Sequence, residues 1–310
     1  MTLDLETLVA PLTAAEFLDR NWPGSPYTTD GDPERLAELA AVPALASNAA
    51  VLDAYRATVS LLRTDGVSAR VPDGPTAAPL LAAGFTCYLR RVEEHIPQLR
   101  AMAEAVAHDL GMPATSVTCE IFCSADSSGV SMHSDHDVNF ALLLRGHKRW
   151  RLAPNEHIRN QTGVCLPGNR RQREEDQLAL ADRLPFPDRL PDDALSVDVG
   201  AGGLVFLPRG WWHETQAQGE CLQVNFVVKG PDWTSVLVQA LTSRLTGDPR
   251  WRAHAYDVCA AGERGERAAA VFADLLKGLS GDFAAADPAD LAERLLADSG
   301  LLPADRAGVR

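Results

Sequence analysis

Hydrophobic and polar positions change their spacing twice along the chain. Up to about residue 83 the spacing is mostly helical, beginning with a capping-box pattern at Thr13. From there to residue 229, short apolar runs rich in β-branched residues are separated by Gly, Pro, Asn and Asp clusters, which is typical of strands. Helical spacing returns after Gly230, where Asp287 is placed to cap a helix that Gly300 ends. We therefore predict a helical segment 1–83 packing on a β-rich domain 84–229, followed by a helical region 230–310.

Two stretches inside the β-rich domain depart from the strand pattern. The stretch after "GFTCYLRRV" has helical spacing, and Gly111 is a plausible end for that helix. Residues 172–193 are charged and interrupted by prolines, which predicts a long surface insertion between strands. The basic cluster 169–173 at its beginning is typical of a solvated loop, with an acidic partner as the alternative.

Composition limits the class of protein. The chain has 310 residues, of which 46% are hydrophobic, and a formal net charge of -13. That charge argues against nucleic acid or an anionic membrane as partner and favours a basic peptide or a cationic side chain. The six cysteines show no Cys-x-x-Cys pair, the first residues lack a basic signal-peptide region, and no apolar run approaches the ~20 residues of a membrane span. We predict a cytoplasmic location.

The stretch "MHSDHDVNF", residues 132–140, concentrates histidines and aspartates directly before an apolar run. Because side chains at i and i+2 of a strand point to the same face, His133 and Asp135 can converge on one point. A third metal ligand is offered by His213, which follows a glycine-rich turn, an apolar strand and a break at Pro208 and Gly210. Two histidines and one carboxylate suit a non-haem Fe(II) oxygenase, and a zinc hydrolase uses similar ligands.

A cation follows the first two candidate ligands at a short distance. If residues 142–144 form a strand and residues 145–147 a turn, Lys148 opens the next strand with Trp150 on the same side. An ammonium there can bind the distal carboxylate of a dicarboxylate co-substrate, which would otherwise be buried unpaired at a cost of several kcal/mol. This favours the oxygenase over the hydrolase.

Taken together, these motifs resemble the JmjC (cupin-type) 2-oxoglutarate oxygenases, especially the branch with the ribosomal-protein hydroxylases and their bacterial relatives. The resemblance rests on "HSDHDVNFALLLRGHKRWRLAPN" and on "GGLVFLPRGWWHE", and it covers residues 118–228. It implies a double-stranded β-helix (jelly roll) with helical flanks. In the family's register the ligands of Fe(II) are His133, Asp135 and His213, and Lys148 pairs with the C5 carboxylate of 2-oxoglutarate.

The sequence departs from the family pattern at two positions and leaves several roles open. Cys119 stands where relatives often have asparagine, and Leu143 where they often have glutamine; both bear on how co-substrate and substrate are held. Asn225 contributes to cofactor binding if the alternation from Gln223 places it in the site. Further candidate residues are Asp137, Trp211 and Trp212 for lining a substrate groove, His136 as a solvated neighbour of the site, and Arg209 for fixing its turn.

The resemblance implies that Fe(II), 2-oxoglutarate and O2 together hydroxylate a substrate, with formation of succinate and CO2. A hydroxylase of a protein or peptide side chain would need a wide, acidic mouth. A hydroxylase of a free amino acid or small metabolite in natural-product biosynthesis would need a closed cavity with a charged pair. The third alternative is a non-catalytic metal-binding cupin that acts as sensor or scaffold. "WTSVLVQALTSRL", after Gly230, has an apolar face that predicts a homodimer.

Overall fold

The computed structural model describes residues 3–167 and 187–301. It divides into two compact units, Met1–Gly230 and Pro231–Arg310. The basic cluster at 169–173 and most of the predicted insertion lie outside the described residues, so that prediction stays open. None of the helices in the described part has the length and apolarity of a membrane span.

Short helices precede the main strands of the first unit. They are α1 (Leu5–Val9), α2 (Ala14–Arg20), α3 (Ala37–Ala40), α4 (Asn48–Ala54), α5 (Gly74–Ala82) and α6 (Gln98–Asp109). The predicted capping box is present, since Thr13 and Glu16 each accept a hydrogen bond from the other's backbone N–H. Helix α6 ends before Gly111, whose φ of 68° is the left-handed conformation that favours glycine. Both predicted signals are therefore confirmed.

Ten strands follow one another along the described part of the first unit. They are β1 (Tyr27–Thr29), β2 (Val59–Leu62), β3 (Ser68–Val71), β4 (Thr86–Leu89), β5 (Val117–Ser124), β6 (Gly129–Ser134), β7 (Val138–Ala153), β8 (Leu195–Gly200), β9 (Leu204–Leu207) and β10 (Trp212–Val228). All their pairings are antiparallel. The first three lie in the segment where the sequence predicted helices. The prediction missed them because strands of three or four residues carry little periodic signal.

Two long strands turn this sheet into a double layer. Strand β7 pairs with β9 through its first part and with β8 through its last part, while β10 pairs with β6 first and with β5 later. Strands β7 and β10 also pair with each other along most of their lengths. The continuous order is β1-β9-β7-β10-β5-β4-β2-β3. This arrangement confirms the predicted jelly-roll core with helical flanks.

The bend between the layers requires a glycine. Gly146 has a φ of 83°, and a Cβ at this position would lie 2.3 Å from the carbonyl oxygen of Glu220 on β10. Only glycine fits both the backbone angle and the close approach. The sequence predicted a turn that separates two strands here, whereas the chain continues through the bend as one strand of 16 residues. Lys148 and Trp150 still share a face, as predicted.

Apolar side chains fill both sides of the main layer. The larger cluster joins the N-terminal helices to the outer face of the strands, with Phe17, Phe140 and Phe206 at its centre. A smaller cluster between the layers includes Leu143, Trp150 and Leu207. The polar side chains described below lie on this inner side, at the open end of the barrel.

The second unit is helical among its described residues. It contains α7 (Trp233–Thr246), α8 (Glu263–Ala284) and α9 (Pro288–Asp298). Asp287 caps α9, Pro288 occupies its first position and Gly300 follows its end with a φ of 69°, as predicted. None of the 22 residues of α8 is buried, and Val271, Phe272 and Leu276 are exposed.

Candidate functional site

Three predicted ligand residues meet at the mouth of the barrel. His133 on β6 and His213 on β10 are direct partners in the strand register, and their ring centroids lie 4.0 Å apart. The Nε2 atoms of His133 and His213 lie 3.7 Å and 3.6 Å from the carboxylate oxygens of Asp135. One ligand atom from each residue lies within 4.8 Å of the other two. The structure thus brings together residues 80 positions apart in the chain.

Backbone carbonyls fix the orientation of both imidazoles. The Nδ1 of His133 lies 2.8 Å from the carbonyl oxygen of Ser131, and that of His213 lies 3.0 Å from the carbonyl oxygen of Trp211. A carbonyl accepts a hydrogen bond, so Nδ1–H is the donor and the lone pair of Nε2 is directed at the carboxylate. Burial, helped by the neighbouring His133, lowers the pKa of His213 to about 4. His213 is therefore neutral at physiological pH, the form that binds a metal.

The donor set of this cluster suits a divalent transition metal. Two imidazole nitrogens and a carboxylate oxygen on one side of an ion leave the opposite coordination positions for other ligands, which is the arrangement of the facial triad. Asp135 is positioned by Asn139, whose amide donates to its Oδ2 at 3.2 Å. Such outer contacts orient metal ligands and influence metal affinity. The residues present therefore fit the predicted iron.

Lys148 lies in a pocket deeper in the same barrel. It is 1% exposed, and its ammonium donates to the side-chain oxygen of Gln223 at 2.9 Å. The ring of Phe122 is 5.6 Å from its Nζ. Burial lowers the pKa of Lys148 to about 8. A buried ammonium beside a neutral amide is costly, and an anion placed there would stabilise it.

Amide side chains connect the lysine to the triad. Gln223 donates to Asn225 at 2.7 Å, Asn225 donates to Asn139 at 3.3 Å, and Asn139 in turn donates to Asp135. Asn225 is therefore in the site, as the alternation along β10 suggested. The sequence reasoning missed the roles of Gln223 and Asn139. Their signals were weak: Gln223 is one of two polar residues, with Asn225, in an otherwise apolar part of β10, and Asn139 is a single polar residue at the start of the apolar strand β7.

A cavity of about 680 Å³ joins these groups. Trp150, Leu207 and Phe122 form its apolar lining, and Trp150 lies nearly parallel to His213 with ring centroids 5.9 Å apart. The triad and the lysine line the same space. A single small molecule can therefore reach both.

A second charged cluster lines the cavity beside the triad. Lys229 lies 3.4 Å from Glu120 and 3.7 Å from Asp137, and Asp137 also lies 3.6 Å from His136. Burial raises the pKa of Glu120 and of Asp137, against the opposing effect of Lys229. Asp137 thus lies where the sequence placed a substrate-lining residue, whereas Glu120 and Lys229 were not predicted.

Trp211 and Trp212 do not line the cavity, which corrects the sequence prediction. Trp212 is 2% exposed and packs with Met132 and Leu190 behind the site, because it neighbours His213 on a strand and points to the opposite face. Trp211 packs against the cluster between the layers. Both tryptophans thus pack against the barrel outside the cavity lining.

The two departures from the family pattern have a structural explanation. Cys119 faces the core, where its thiol lies 3.7 Å from the carbonyl oxygen of Leu99, so the next residue, Glu120, faces the cavity instead. Leu143 is paired across the ladder with Gln223. Gln223 thus places an amide side chain on the neighbouring strand, directly opposite Leu143. Arg209 donates to the carbonyl oxygens of Asn160 and Gln161, which agrees with its predicted role in the turn.

The fold and this set of residues define a cupin-type domain. A family model described as "Cupin-like domain" matches residues 85–227, which contain the triad, the lysine and the amide chain. The match to a cupin-like family agrees with the fold that the motifs of this segment predicted.

The chain is similar to several proteins with recorded names. Bacillus subtilis YxbC, described as uncharacterised, is 27% identical over 256 residues, which cover 80% of this chain and 77% of YxbC. The bifunctional lysine-specific demethylase and histidyl-hydroxylase NO66 of Drosophila persimilis is 26% identical over 225 residues, 68% of this chain but 29% of NO66. The structure of Escherichia coli YcfD, a ribosomal oxygenase, with cobalt and succinic acid aligns with a TM-score of 0.51 at 16% identity, over 87% of this chain and 67% of YcfD. The last likeness is one of fold.

Proposed function

We propose that the protein is an Fe(II)- and 2-oxoglutarate-dependent oxygenase that hydroxylates a side chain of a protein or peptide. The observation that carries this proposal is the buried Lys148 in the same cavity as the His133–Asp135–His213 triad. A metal at the triad needs a chelating anion, and the lysine needs a carboxylate at the other end of that anion. A dicarboxylate keto acid provides both.

Two groups of residues would serve the reaction: one would bind the iron and the co-substrate, and the other would exclude water. His133, Asp135 and His213 would hold the iron, and Lys148 would bind the C5 carboxylate of 2-oxoglutarate, with Gln223 and Asn225 orienting that pocket. Bound Fe(II) supplies the redox chemistry by which O2 and 2-oxoglutarate become succinate, CO2 and the hydroxyl oxygen of the product. Trp150, Phe122 and Leu207 keep water from the reacting groups.

The named relatives support this class of reaction. NO66 carries the name of a demethylase and histidyl-hydroxylase, and YcfD was solved with a metal and succinic acid. The first name refers to lysine and histidine as targets, and the second structure is titled a ribosomal oxygenase. A substrate that is part of a larger chain also suits a cavity whose outer wall is built from exposed residues such as Arg70 and Arg90.

An anaerobic titration tests the proposal. The protein is loaded with Fe(II), then with 2-oxoglutarate, exposed to oxygen, and assayed for succinate without and with candidate peptides and free amino acids. We expect succinate that depends on both iron and 2-oxoglutarate, and a mass gain of one oxygen on a peptide. Oxygen gain on a free amino acid alone would support the small-metabolite alternative. No succinate under any condition, despite bound iron, would favour the non-catalytic cupin.

The helical unit supports a homodimer as part of the same proposal. Helix α7 exposes Trp233, Leu237 and Val238, and α8 exposes Val271 and Phe272. Exposed apolar side chains on neighbouring turns of a helix suit a contact with a second copy of the chain. We expect a dimer in sedimentation at micromolar concentration and a monomer for the Leu237→Asp/Phe272→Asp variant. A monomeric wild-type protein would contradict this part.

A further inference from the structure

The cavity has the opposite charge to the rest of the molecule. The whole chain carries a formal net charge of -13. Among the described residues the lining contains five cationic and three acidic side chains, a balance of 5 − 3 = +2: Arg63, Arg70, Arg90, Lys148 and Lys229 against Glu120, Asp135 and Asp137. Counting Asp65, which pairs with Arg63 from outside the lining, leaves +1. Fe(II) and 2-oxoglutarate carry opposite charges of equal size, so binding both leaves this excess in place. The sequence-based expectation of an acidic mouth is therefore not met at the site.

Two arginines account for the excess. Lys229 is shared by Glu120 and Asp137, and Lys148 serves the co-substrate in the proposed function. Arg63 forms an ion pair with Asp65 at 2.6 Å. Within the described part of the chain, neither Arg70 nor Arg90 has a carboxylate within the 4.0 Å of an ion pair.

Both arginines belong to one wall of the cavity. Arg70 on β3 and Tyr88 on β4 are each paired with Ser60 of the strand between them, so their side chains share the face that lines the cavity. The guanidinium of Arg90 lies 5.0 Å from the centre of the Tyr88 ring, which stacks on Phe122 at 4.6 Å. A guanidinium in contact with a ring still has N–H groups that can donate to a carboxylate.

The width of this wall argues for an extended ligand. From Gln223 on β10 to Arg70 on β3 the sheet order runs β10-β5-β4-β2-β3, four strand spacings or about 19 Å. An extended peptide covers that distance with about six residues, at roughly 3.3–3.6 Å each. A ligand that follows the sheet from β10, which carries His213, to Arg70 on β3 is therefore longer than a free amino acid.

We propose that this arginine wall, Arg70 and Arg90, binds acidic side chains of a peptide whose target residue, a few positions away, lies at the triad. The inference rests on the proposed function and names its substrate class more closely. It favours an acidic sequence around the target residue, where the net charge of the whole chain favoured a basic one. Local charge decides, because the field near a cleft is dominated by the groups that line it.

The test measures peptide binding separately from turnover. The full-length protein, loaded with Co(II) and 2-oxoglutarate, is titrated into hexaglutamate, hexaglutamine and hexalysine, each with the same neutral fluorophore, and fluorescence anisotropy is recorded. We expect hexaglutamate to bind best, with an affinity that falls as salt is added. Tighter binding of hexalysine would overturn the inference. Free glutamate that competes as well per molecule as hexaglutamate would show a small-carboxylate site and would overturn the peptide assignment.

Variants assign the binding to the wall. Arg70→Gln/Arg90→Gln should lower the affinity for hexaglutamate about 10-fold, because the free energies of two exposed charge pairs are lost together. Arg70→Lys/Arg90→Lys should restore part of this loss, and Arg100→Gln, exposed on α6, should change nothing. Should the double glutamine variant fail to fold, Arg70→Gln alone gives the same comparison at about 3-fold. Unchanged affinity in the folded variants would contradict the proposal.

A succinate assay on the same samples keeps the two proposals apart. Loss of hexaglutamate binding with intact 2-oxoglutarate binding and iron-dependent succinate formation is the expected pattern for the double variant. If the wild-type protein forms no succinate but still binds hexaglutamate through the arginines, the proposed function fails and the recognition stands. If succinate forms but hexaglutamate does not bind, the inference about the substrate fails and the oxygenase stands.

Discussion

The triad and the lysine pocket share one cavity but are built in opposite ways. His133, Asp135 and His213 bring together three groups that attract a cation, at the partly open mouth, with both imidazoles fixed by backbone carbonyls. Lys148 is a single cation, fully buried, whose hydrogen-bond partner is the neutral amide of Gln223. The mouth is therefore matched to a positive ligand and the interior to a negative one.

This difference teaches how the site orders its ligands. An unpaired charge in a low-dielectric interior is costly, so each site would be stabilised by a ligand of the opposite sign. A metal at the mouth and a dicarboxylate between the two sites satisfy both conditions at once. The amide chain Gln223–Asn225–Asn139 holds the two sites at a fixed separation.

The largest expected effect is on the mouth. Asp135→Ala removes the anionic ligand. We expect metal affinity and 2-oxoglutarate turnover to fall at least ~100-fold, because loss of a ligand costs more than loss of a residue that only orients a ligand. Metal content after dialysis and succinate formation measure this. Asp198→Ala, exposed and paired with Arg149, is the matched control and should behave as wild type. Turnover that survives in Asp135→Ala would remove the proposed metal site.

The second prediction concerns the positive charge in the interior of the cavity. Lys148→Met replaces a buried ammonium with an apolar side chain of similar length, so the ligand-free protein should be more stable by about 1–3 kcal/mol. The affinity for 2-oxoglutarate should fall roughly 30- to 100-fold, because its carboxylate loses a charged partner. Thermal unfolding with and without 2-oxoglutarate measures both. Lys277→Met, exposed on α8, should change neither; a destabilised Lys148→Met protein would contradict this view of the pocket.

The third prediction concerns a variant that introduces a carboxylate beside Lys148. Gln223→Glu places a carboxylate beside Lys148, where it competes with the co-substrate, and the affinity for 2-oxoglutarate should fall about 10-fold. Metal affinity should stay unchanged, since the triad is not altered. Isothermal titration with the Co(II) protein measures this, with Gln98→Glu on α6 as the control. Tighter 2-oxoglutarate binding in Gln223→Glu would show that Lys148 is not its partner.

The smallest effect is a pH dependence. The pKa of Lys148, about 8, lies below the ordinary lysine value of 10.5. The folded protein therefore loses this proton before the unfolded chain does, so the ligand-free protein should gain stability as pH rises from about 8 to 10.5. Affinity for 2-oxoglutarate should fall about 5-fold across one pH unit above that pKa, since the anion prefers the charged ammonium. Lys148→Met should remove both trends, and a wild-type profile equally flat would contradict the assignment.

The motifs in the sequence were sufficient for the central domain and for the ligand candidates. Glycine and proline clusters, strand alternation and the spacing of His133, Asp135, Lys148 and His213 are local properties, and each is set by backbone geometry that few residue types permit. Gly146 shows this directly: the bend between the layers admits no side chain. The capping residues Thr13 and Asp287 were predicted for the same reason.

The tertiary structure decided what depends on partners distant in the chain. Strands β1–β3 were hidden in a helical pattern, because three or four residues take their conformation from the strands beside them. Strand register decides three further features. Glu120 rather than Cys119 faces the cavity, Gln223 lies opposite Leu143, and Trp212 is buried. The charge around a cavity depends on which residues of several strands face it, so the net charge of -13 did not predict a lining of +2 among the described residues.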